Sequence, residues 1–230
     1  MVLMGGEYVN NPKSTLKGGM VAFWELNEAA ATTRVDTINA LDATDNNSVA
    51  QVAGQSGNAA GFDNYVTLNS QFLSVADNAL LDISGVSPKS IGGWLYLDTL
   101  PSVAGFGCAL IQKQTNYQPF ISTNNKVSFR LYYAAGASHI TLNHQTTLSV
   151  ATWHYIGLMY DGANLWVGVD DVWQSLAFGQ SASDSANEVW FGKLNASAML
   201  DGRMQKFGMW NRSLTWKEWK YLKSNGPYSP

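Results

Sequence analysis

Hydrophobic residues recur at every second position in several short segments of this chain. In residues 154–169, HYIGLMYDGANLWVGV, the apolar side chains alternate on both sides of a polar break, DGAN. The alternating residues are Ile156, Leu158 and Tyr160 before the break and Leu165, Val167 and Val169 after it. A spacing of two is typical of strands that bury one face, and a four-residue polar break between them predicts a β-hairpin.

Further strand-length segments, separated by turn residues, follow one another from residue 19 onward. They are GMVAFWEL, FDNYVTL, KSIGGWLYLD, KVSFRLYYA, TWHYIGLMY, NLWVGVDD, NEVWFG and GRMQKFGMW. Residues 27–61 are expected to form a long polar connection that includes the turn-like sequence GQSGN. Many short strands at such spacing predict an all-β sandwich or barrel.

The end of the chain has the period of a helix instead. Thr215 is followed three positions later by Glu218, the spacing of a capping box. Trp216, Trp219 and Leu222 then recur every three residues, which places them on one side of the helix. We expect this helix to be scaffold, with Trp216 and Trp219 sealing an edge of the sandwich.

Composition agrees with one large β domain. The chain has 230 residues, 46% hydrophobic and only 13% charged, with nine Trp and ten Tyr. The single cysteine, Cys108, excludes an intrachain disulfide. The net charge of −3 gives no reason to expect nucleic acid or an anionic membrane as partner. We expect neither a membrane segment nor a secretory signal peptide, because no long apolar run is present.

Two divisions follow from the local composition. Residues 1–19 are polar and aperiodic and predict an N-terminal arm, whereas residues 20–230 predict the sandwich domain. The arm either docks on its own sandwich or on a neighbouring subunit. Residues 193–230 hold seven of the 14 basic residues and two acids, which suits either a solvated face or a surface for an acidic partner.

Six segments in order resemble the laminin G-like, concanavalin A-like jelly-roll domains. They are GMVAFWELNEA, RVDTINALDATDNNSV, GQSGNAAGFDNYVTL, SIGGWLYLDTLP, TWHYIGLMYDGANLWVGVDD and LDGRMQKFGMWNRSLTWKEWKYLKSNGPYSP. The resemblance covers residues 19–230 and implies two antiparallel sheets with a short C-terminal helix at one edge. The closing strand and capped helix also resemble the versions found in bacteriophage virion proteins, which tend to end in an FWNR-type strand, a capped helix and NSG; this chain has MWNR and SNG.

The chain departs from this family at a position that matters for metal binding. The family usually has Ile-Asp-Glu at residues 204–206, and the Asp often belongs to a structural calcium site. Here the residue is Gln205, which we expect to face the core in phase with Phe207 and Met209. A neutral amide is a poor ligand for a hard cation, so we expect no metal there. Asp36 and Asp63 are interpreted as turn-forming residues.

No catalytic or cofactor-binding pattern is visible, so we predict neither an enzyme nor a cofactor. Glycosidases need two carboxylates on one face, but Asp170 and Asp171 are adjacent and would face opposite ways in a strand. His139, His144 and His154 have no metal-binding spacing, and Cys108 is interpreted as a small buried residue. No glycine-rich phosphate loop is present.

Aromatic residues are the remaining candidates for ligand binding. Trp166 and Trp173 alternate away from the apolar face of their hairpin. Tyr117, Tyr132 and Tyr133 lie near turn-rich segments. An outward aromatic ring suits a glycan, a partner subunit, or a covering layer on the sheet. Trp24, Trp94 and Trp153 match family positions that belong to the core.

Two functions are therefore open. One is a non-enzymatic structural protein of the virion surface, a capsid decoration or tail-associated subunit, released to the extracellular space by lysis. Its partners would be a capsid or tail protein, or further copies of itself, for example in a trimer. The other is a carbohydrate-binding module or adhesin that recognises cell-surface glycans, a role known for this fold but one that a fold alone does not establish.

Overall fold

A computed structural model describes residues 12–65, 70–195 and 198–225. Within these ranges the chain forms eighteen strands, three α-helices and a short 3-10 helix, Ala79–Leu81. The strands are β1 Met20–Trp24, β2 Thr44–Asn46, β3 Ala50–Ala53, β4 Asn58–Phe62, β5 Phe72–Val75, β6 Lys89–Leu97, β7 Cys108–Ala109, β8 Ile111–Lys113, β9 Tyr117–Ile121, β10 Lys126–Tyr133, β11 Ser138–Thr147, β12 Trp153–Tyr160, β13 Asn164–Val169, β14 Val172–Ala177, β15 Val189–Phe191, β16 Lys193–Asn195, β17 Ala198–Met199 and β18 Gly202–Trp210. The helices are α1 Pro12–Leu16, α2 Pro101–Ala104 and α3 Trp216–Asn225.

The strands form two large antiparallel sheets that face each other. The first has the order β14-β13-β12-β6-β18-β4-β3, and β1 also pairs with β18. The second has the order β11-β10-β9-β8-β15-β5-β2, and β7 also pairs with β9. Buried residues from both sheets form one core between them. The predicted two-sheet sandwich with a short C-terminal helix is confirmed.

The hairpin predicted from alternation is present as expected. Strands β12 and β13 pair so that Tyr160 lies opposite Leu165, on either side of the polar loop. All six alternating residues are buried in the core between the sheets. The local pattern determines this hairpin because a shift of one residue would turn all six side chains toward solvent.

The polar connection predicted for residues 27–61 is wrong, since it contains β2, β3 and β4. The sequence GQSGN forms the turn between β3 and β4. These strands are poor in large apolar residues, and β4 has the sequence NAAGF, so the usual strand signal is weak. The segment FDNYVTL enters β4 only through Phe62, and residues 66–68 lie outside the described part of the chain.

Gln205 is buried, but it does not face the core in phase with Phe207 and Met209. A β-bulge interrupts β18 after Gln205, with Lys206 in the left-handed region at a φ of 57°. The extra residue changes the side-chain phase, so Gln205 lies on the outer face beside its cross-strand neighbour Trp94. The sequence-based orientation was wrong because alternation alone does not reveal a bulge.

The turn between β3 and β4 covers Gln205 and uses both ends of its amide. The Nε2 atom donates to the carbonyl oxygens of Ser56 and Asn58, and the Oε1 atom accepts the N–H of Gln55 at 3.0 Å. A carboxylate at this position would face two carbonyl oxygens without a proton to donate. Gln205 therefore acts as a structural hydrogen-bond bridge.

A second apolar layer covers the outer face of the first sheet. It is formed between the sheet and the helices α1 and α3, with residues from both sides. These are Leu16, Met20, Phe23, Trp94, Tyr155, Met159, Trp210, Leu214, Trp219 and Leu222. Leu16 is fully buried, and its carbonyl accepts the Trp210 Nε1–H at 2.8 Å. The described part of the arm, residues 12–19, therefore docks on its own sandwich. Residues 1–11 of the predicted arm lie outside the described part of the chain.

A row of glycines allows this layer to lie directly on the sheet. Gly208, Gly92, Gly157 and Gly168 are consecutive cross-strand neighbours on β18, β6, β12 and β13. A Cβ atom added to any of them would come within 2.5 to 2.7 Å of an indole ring. The rings are those of Trp210 at Gly208, Trp219 at Gly92, and Trp173 at both Gly157 and Gly168. None of the four has a positive φ, so they are needed for space and not for backbone conformation.

Gly92→Ala should destabilise the protein because the added methyl group overlaps the buried Trp219 ring. We expect the free energy of unfolding to fall by about 1–3 kcal/mol, the usual cost of overpacking. Gly179→Ala is the matched control, since a Cβ there meets no atom within 4 Å. Urea unfolding followed by tryptophan fluorescence measures both variants. Equal stabilities for the two would contradict the proposed close contact.

Candidate functional site

Five tryptophans form a continuous series of ring contacts from the buried layer to the surface. The centroid distances are 6.5 Å for Trp210–Trp219, 5.1 Å for Trp219–Trp173, 5.0 Å for Trp173–Trp216 and 5.4 Å for Trp216–Trp166. Trp210 is fully buried, whereas Trp216 is 50% exposed. The series therefore ends in aromatic surface that solvent, or a ligand, can reach.

A cleft of about 480 Å³ opens at this exposed end. Its lining residues are Tyr155, Asp170, Asp171, Trp173, Trp216, Trp219 and Lys220. They come from β12, from the turn between β13 and β14, from β14 and from α3. The site thus combines indole rings, two carboxylates and one ammonium group, contributed by segments that are distant in sequence.

The partly buried Trp173 and the exposed Trp216 are held in different ways. Trp173 lies over Gly157 and Gly168, which fix its distance from the sheet. Trp216 is the first residue of α3 and follows the predicted capping box, which is present. The Thr215 N–H donates to Glu218 Oε2 at 2.8 Å, and the Glu218 N–H donates to Thr215 Oγ1 at 3.3 Å. Neither indole N–H has a hydrogen-bond partner within the described part of the chain.

Helix α3 is tied to the rest of the molecule through the buried carboxylate of Glu218. Arg212 forms an ion pair with it at 2.7 Å, and Thr15 of α1 donates to the same oxygen at 2.8 Å. Burial opposes ionisation, but the hydrogen bonds from Arg212, Thr215 and Thr15 lower the pKa of Glu218 to about 2. The carboxylate therefore stays charged and holds the helix that carries Trp216.

Asp170 is oriented by His154, which sequence analysis treated as an isolated polar residue. One oxygen of Asp170 pairs with His154 Nδ1 at 3.0 Å, and the other accepts the Tyr155 N–H at 3.0 Å. Burial alone would raise the pKa of Asp170, but these hydrogen bonds lower it below its ordinary value. The lowered pKa favours the carboxylate form of Asp170, which is suited to accepting hydrogen bonds from a ligand.

Ser149, His154 and Asp170 are connected in the same order as the residues of a Ser–His–Asp hydrolase triad. The Oγ of Ser149 lies 3.3 Å from His154 Nε2, but its backbone N–H is also 3.4 Å from the same nitrogen. Ser149 does not line the cleft. We interpret the three residues as a structural connection that fixes Asp170, in which His154 is a positioning residue.

Asp171 follows in the same tight turn and has a different environment. Its carboxylate is 68% exposed and forms an ion pair with Lys223 of α3. Asp170 and Asp171 were expected to face opposite ways if they lay in a strand, but they form the turn between β13 and β14. Both carboxylates border the same cleft.

The five aromatic residues predicted to bind a ligand do not converge on one site. Trp173 lines the cleft, and Trp166 lies beside it against Trp216, with its Nε1–H donating to Asp161 at 2.6 Å. Tyr132 lies on the outer face of the second sheet, on the side of the sandwich away from the cleft, with its ring 5.5 Å from that of His139.

Tyr117 and Tyr133 were interpreted as outward residues, and the structure corrects this. Tyr117 is fully buried in the core, and burial raises the pKa of its hydroxyl. Tyr133 packs against the core next to Phe178, with a centroid distance of 5.7 Å. Proximity to turns in the sequence does not determine whether a side chain points outward. That direction depends on the register of its strand in the sheet.

Trp216 is the site residue that sequence analysis missed. Its spacing from Trp219 and Leu222 predicted a sealed position, and those two residues are indeed buried. However, α3 begins beside the tryptophans of β13 and β14, which contact one part of the Trp216 ring and leave half of the residue exposed. Its place in the first turn of the helix is the one sequence signal for this exposure.

The other predicted polar groups are placed apart from the cleft. Cys108 is buried, and burial raises the pKa of its thiol to about 12. His144 is buried next to the Val172 carbonyl, and Asp36 accepts hydrogen bonds that organise the turn at residues 36–41. Among the described residues, no cluster of His, Cys, Asp and Glu could hold a metal ion. No helix in the same residues is long and apolar enough to span a membrane.

Comparison with known proteins identifies the fold and not the family. No known family matches the sequence, and no curated protein is significantly similar to it. The binding domain of Paraclostridial Mosquitocidal Protein 1 superimposes with a TM-score of 0.75 at 14% identity, covering 94% of this chain and 53% of that one. Domain 4 of AbnA, a GH43 extracellular arabinanase from Geobacillus stearothermophilus solved with arabinotriose, gives 0.69 at 12% identity, covering 89% and 98%.

A third neighbour comes from a study of botulinum neurotoxin type C, whose cell entry depends on two ganglioside molecules. It gives a TM-score of 0.65 at 13% identity, covering 92% of this chain and 52% of that one. The chain thus spans about half the length of the toxin structures and almost all of the arabinanase domain. These likenesses show an all-β sandwich of the concanavalin A-like type. They provide no link to bacteriophage proteins, so the virion hypothesis stays a prediction.

The Glu218 carboxylate should make stability depend on pH. Its pKa falls from 4.5 to about 2 on folding, so its contribution is complete above pH 4.5 and is lost as the pH falls toward 2. We expect Glu218→Gln to lower the free energy of unfolding by about 3 kcal/mol at neutral pH. Urea unfolding at several pH values should show this difference shrinking in acid.

The exposed Glu188 provides the control, because Glu188→Gln should change stability little at any pH. A Glu218→Gln effect of constant size between pH 7 and pH 2 would contradict the linkage. Such a result would mean that the variant acts through packing and not through the charge.

Proposed function

We propose that this protein is a carbohydrate-binding module that holds a glycan in the cleft between Trp173 and Trp216. The observation that carries the proposal is the pairing of two indole rings with two aspartates in one cleft. The C–H faces of sugar rings pack on indole rings, and sugar hydroxyls donate to carboxylates.

The dimensions and rigidity of the cleft support this use. Its volume of about 480 Å³ lies in the range of small-ligand sites. Trp173 rests on glycines, Asp170 is fixed by His154 and Tyr155, and α3 is anchored through Glu218. A preorganised site loses little side-chain entropy when the ligand binds.

The carboxylates are suited to binding and not to hydrolysis. A glycosidase needs one protonated carboxylic acid, whose pKa is usually raised by an apolar environment. The pKa of Asp170 is lowered instead, and Asp171 is largely exposed and paired with Lys223. We therefore propose a non-catalytic role, in which Asp170 and Asp171 accept hydrogen bonds from sugar hydroxyls.

The structural neighbours support the same class of ligand. Domain 4 of the arabinanase was solved with arabinotriose, and the botulinum type C study concerns gangliosides, which are glycolipids. The virion-surface hypothesis, including capsid, tail or self-association, is supported only by the resemblance of the C-terminal segment. A glycan-binding role does not depend on where the protein is attached.

Trp173→Ala and Trp216→Ala should each weaken glycan binding by about tenfold or more, because each removes one stacking surface. Screening on a glycan array, followed by calorimetry with the strongest binder and with arabinotriose, measures the effect. Tyr132→Ala is the control, since Tyr132 lies on the other sheet. The proposal fails if no glycan binds, or if only Tyr132→Ala reduces binding.

A further inference from the structure

We infer that the glycan carries an acidic group, a carboxylate or a sulfate, which lies over the groove next to the cleft and is bound by Lys217 and Lys220. This inference rests on the proposed function and specifies the substrate class of the same site. It comes from the distribution of charge around α3, which divides the surface into an acidic and a basic part.

The groove lies between α1 and α3 and adjoins the cleft. Its volume is about 1580 Å³, larger than that of the cleft. Trp216 and Lys220 line both depressions, so the exposed indole stands between them. A ligand stacked on Trp216 is therefore next to both depressions.

The groove has an excess of positive charge. Glu218 is its one acidic lining residue among those described, and this carboxylate is buried and neutralised by Arg212. Lys217 and Lys220 are exposed and form no ion pair within the described residues. They are three positions apart on α3, so their Cβ atoms are about 5–6 Å apart and one anionic group can contact both.

The cleft has a mixed charge. Asp170 and Asp171 border it together with Lys220, and Asp171 is paired with Lys223. A carboxylate or sulfate placed between the indoles would face two carboxylates as well as Lys220, whereas on the groove side it meets Lys217 and Lys220 and no exposed carboxylate among the described residues. The arrangement therefore favours a neutral sugar in the cleft and an acidic group on the groove side of Trp216.

The test compares oligosaccharides of one backbone in neutral, carboxylated and sulfated forms, titrated into the wild-type protein and the Lys217→Gln/Lys220→Gln variant. We expect the acidic forms to bind the wild type about tenfold more tightly than the neutral form, with an advantage that falls as salt increases. The double variant should lose this advantage and bind the neutral form unchanged. Lys126→Gln, on the second sheet, is the control for removing a lysine away from the groove.

The outcomes separate this inference from the proposed function. Binding of the neutral form that depends on Trp173, without preference for either acidic form, overturns the inference and leaves the binding site intact. An equal loss of neutral and acidic ligands in the double variant also overturns it, provided that the melting temperature is unchanged. Failure of every glycan to bind overturns both. Preference for only one acidic form identifies the group as carboxylate or sulfate.

Discussion

The close approach of three indole rings to a row of four glycines is the contact on which the outer half of this structure depends. Because Gly208, Gly92, Gly157 and Gly168 lack side chains, the rings of Trp210, Trp219 and Trp173 lie directly on the sheet. The indole N–H groups of Trp94 and Trp219 are buried without partners among the described residues, so apolar packing dominates this layer. A methyl group added at any of the four glycines would overlap one of these rings.

The same packing places scaffold and site on one short helix. Trp219 and Leu222 bury one side of α3, while Trp216 and Lys220 project from it into the cleft. Arg212, Glu218 and Thr15 then connect the start of the helix to the strand before it and to the N-terminal arm. Stability of the buried layer and geometry of the site are therefore coupled, since both depend on where α3 begins.

The two depressions beside Trp216 differ in the charged residues that line them. The turn at Asp170 and Asp171 supplies carboxylate oxygens to the cleft beside Trp216, whereas Lys217 lines only the groove and Lys220 lines both depressions. The indole between them offers an apolar face on which a sugar ring can stack. A neutral ring with an acidic substituent matches all three surfaces, whereas a uniformly charged ligand matches only one.

The sequence by itself determined the features that depend on local periodicity: the hairpin of β12 and β13, the all-β class and the capped C-terminal helix. These are readable because alternation and capping involve residues only a few positions apart. Only the tertiary structure decided that the bulge at Lys206 turns Gln205 outward, that Tyr117 is buried, and that Trp216 is half exposed. It also decided that Asp170, Trp173 and Lys220 meet in one cleft. Such outcomes depend on register and on contacts between segments far apart in the chain, which no local pattern encodes.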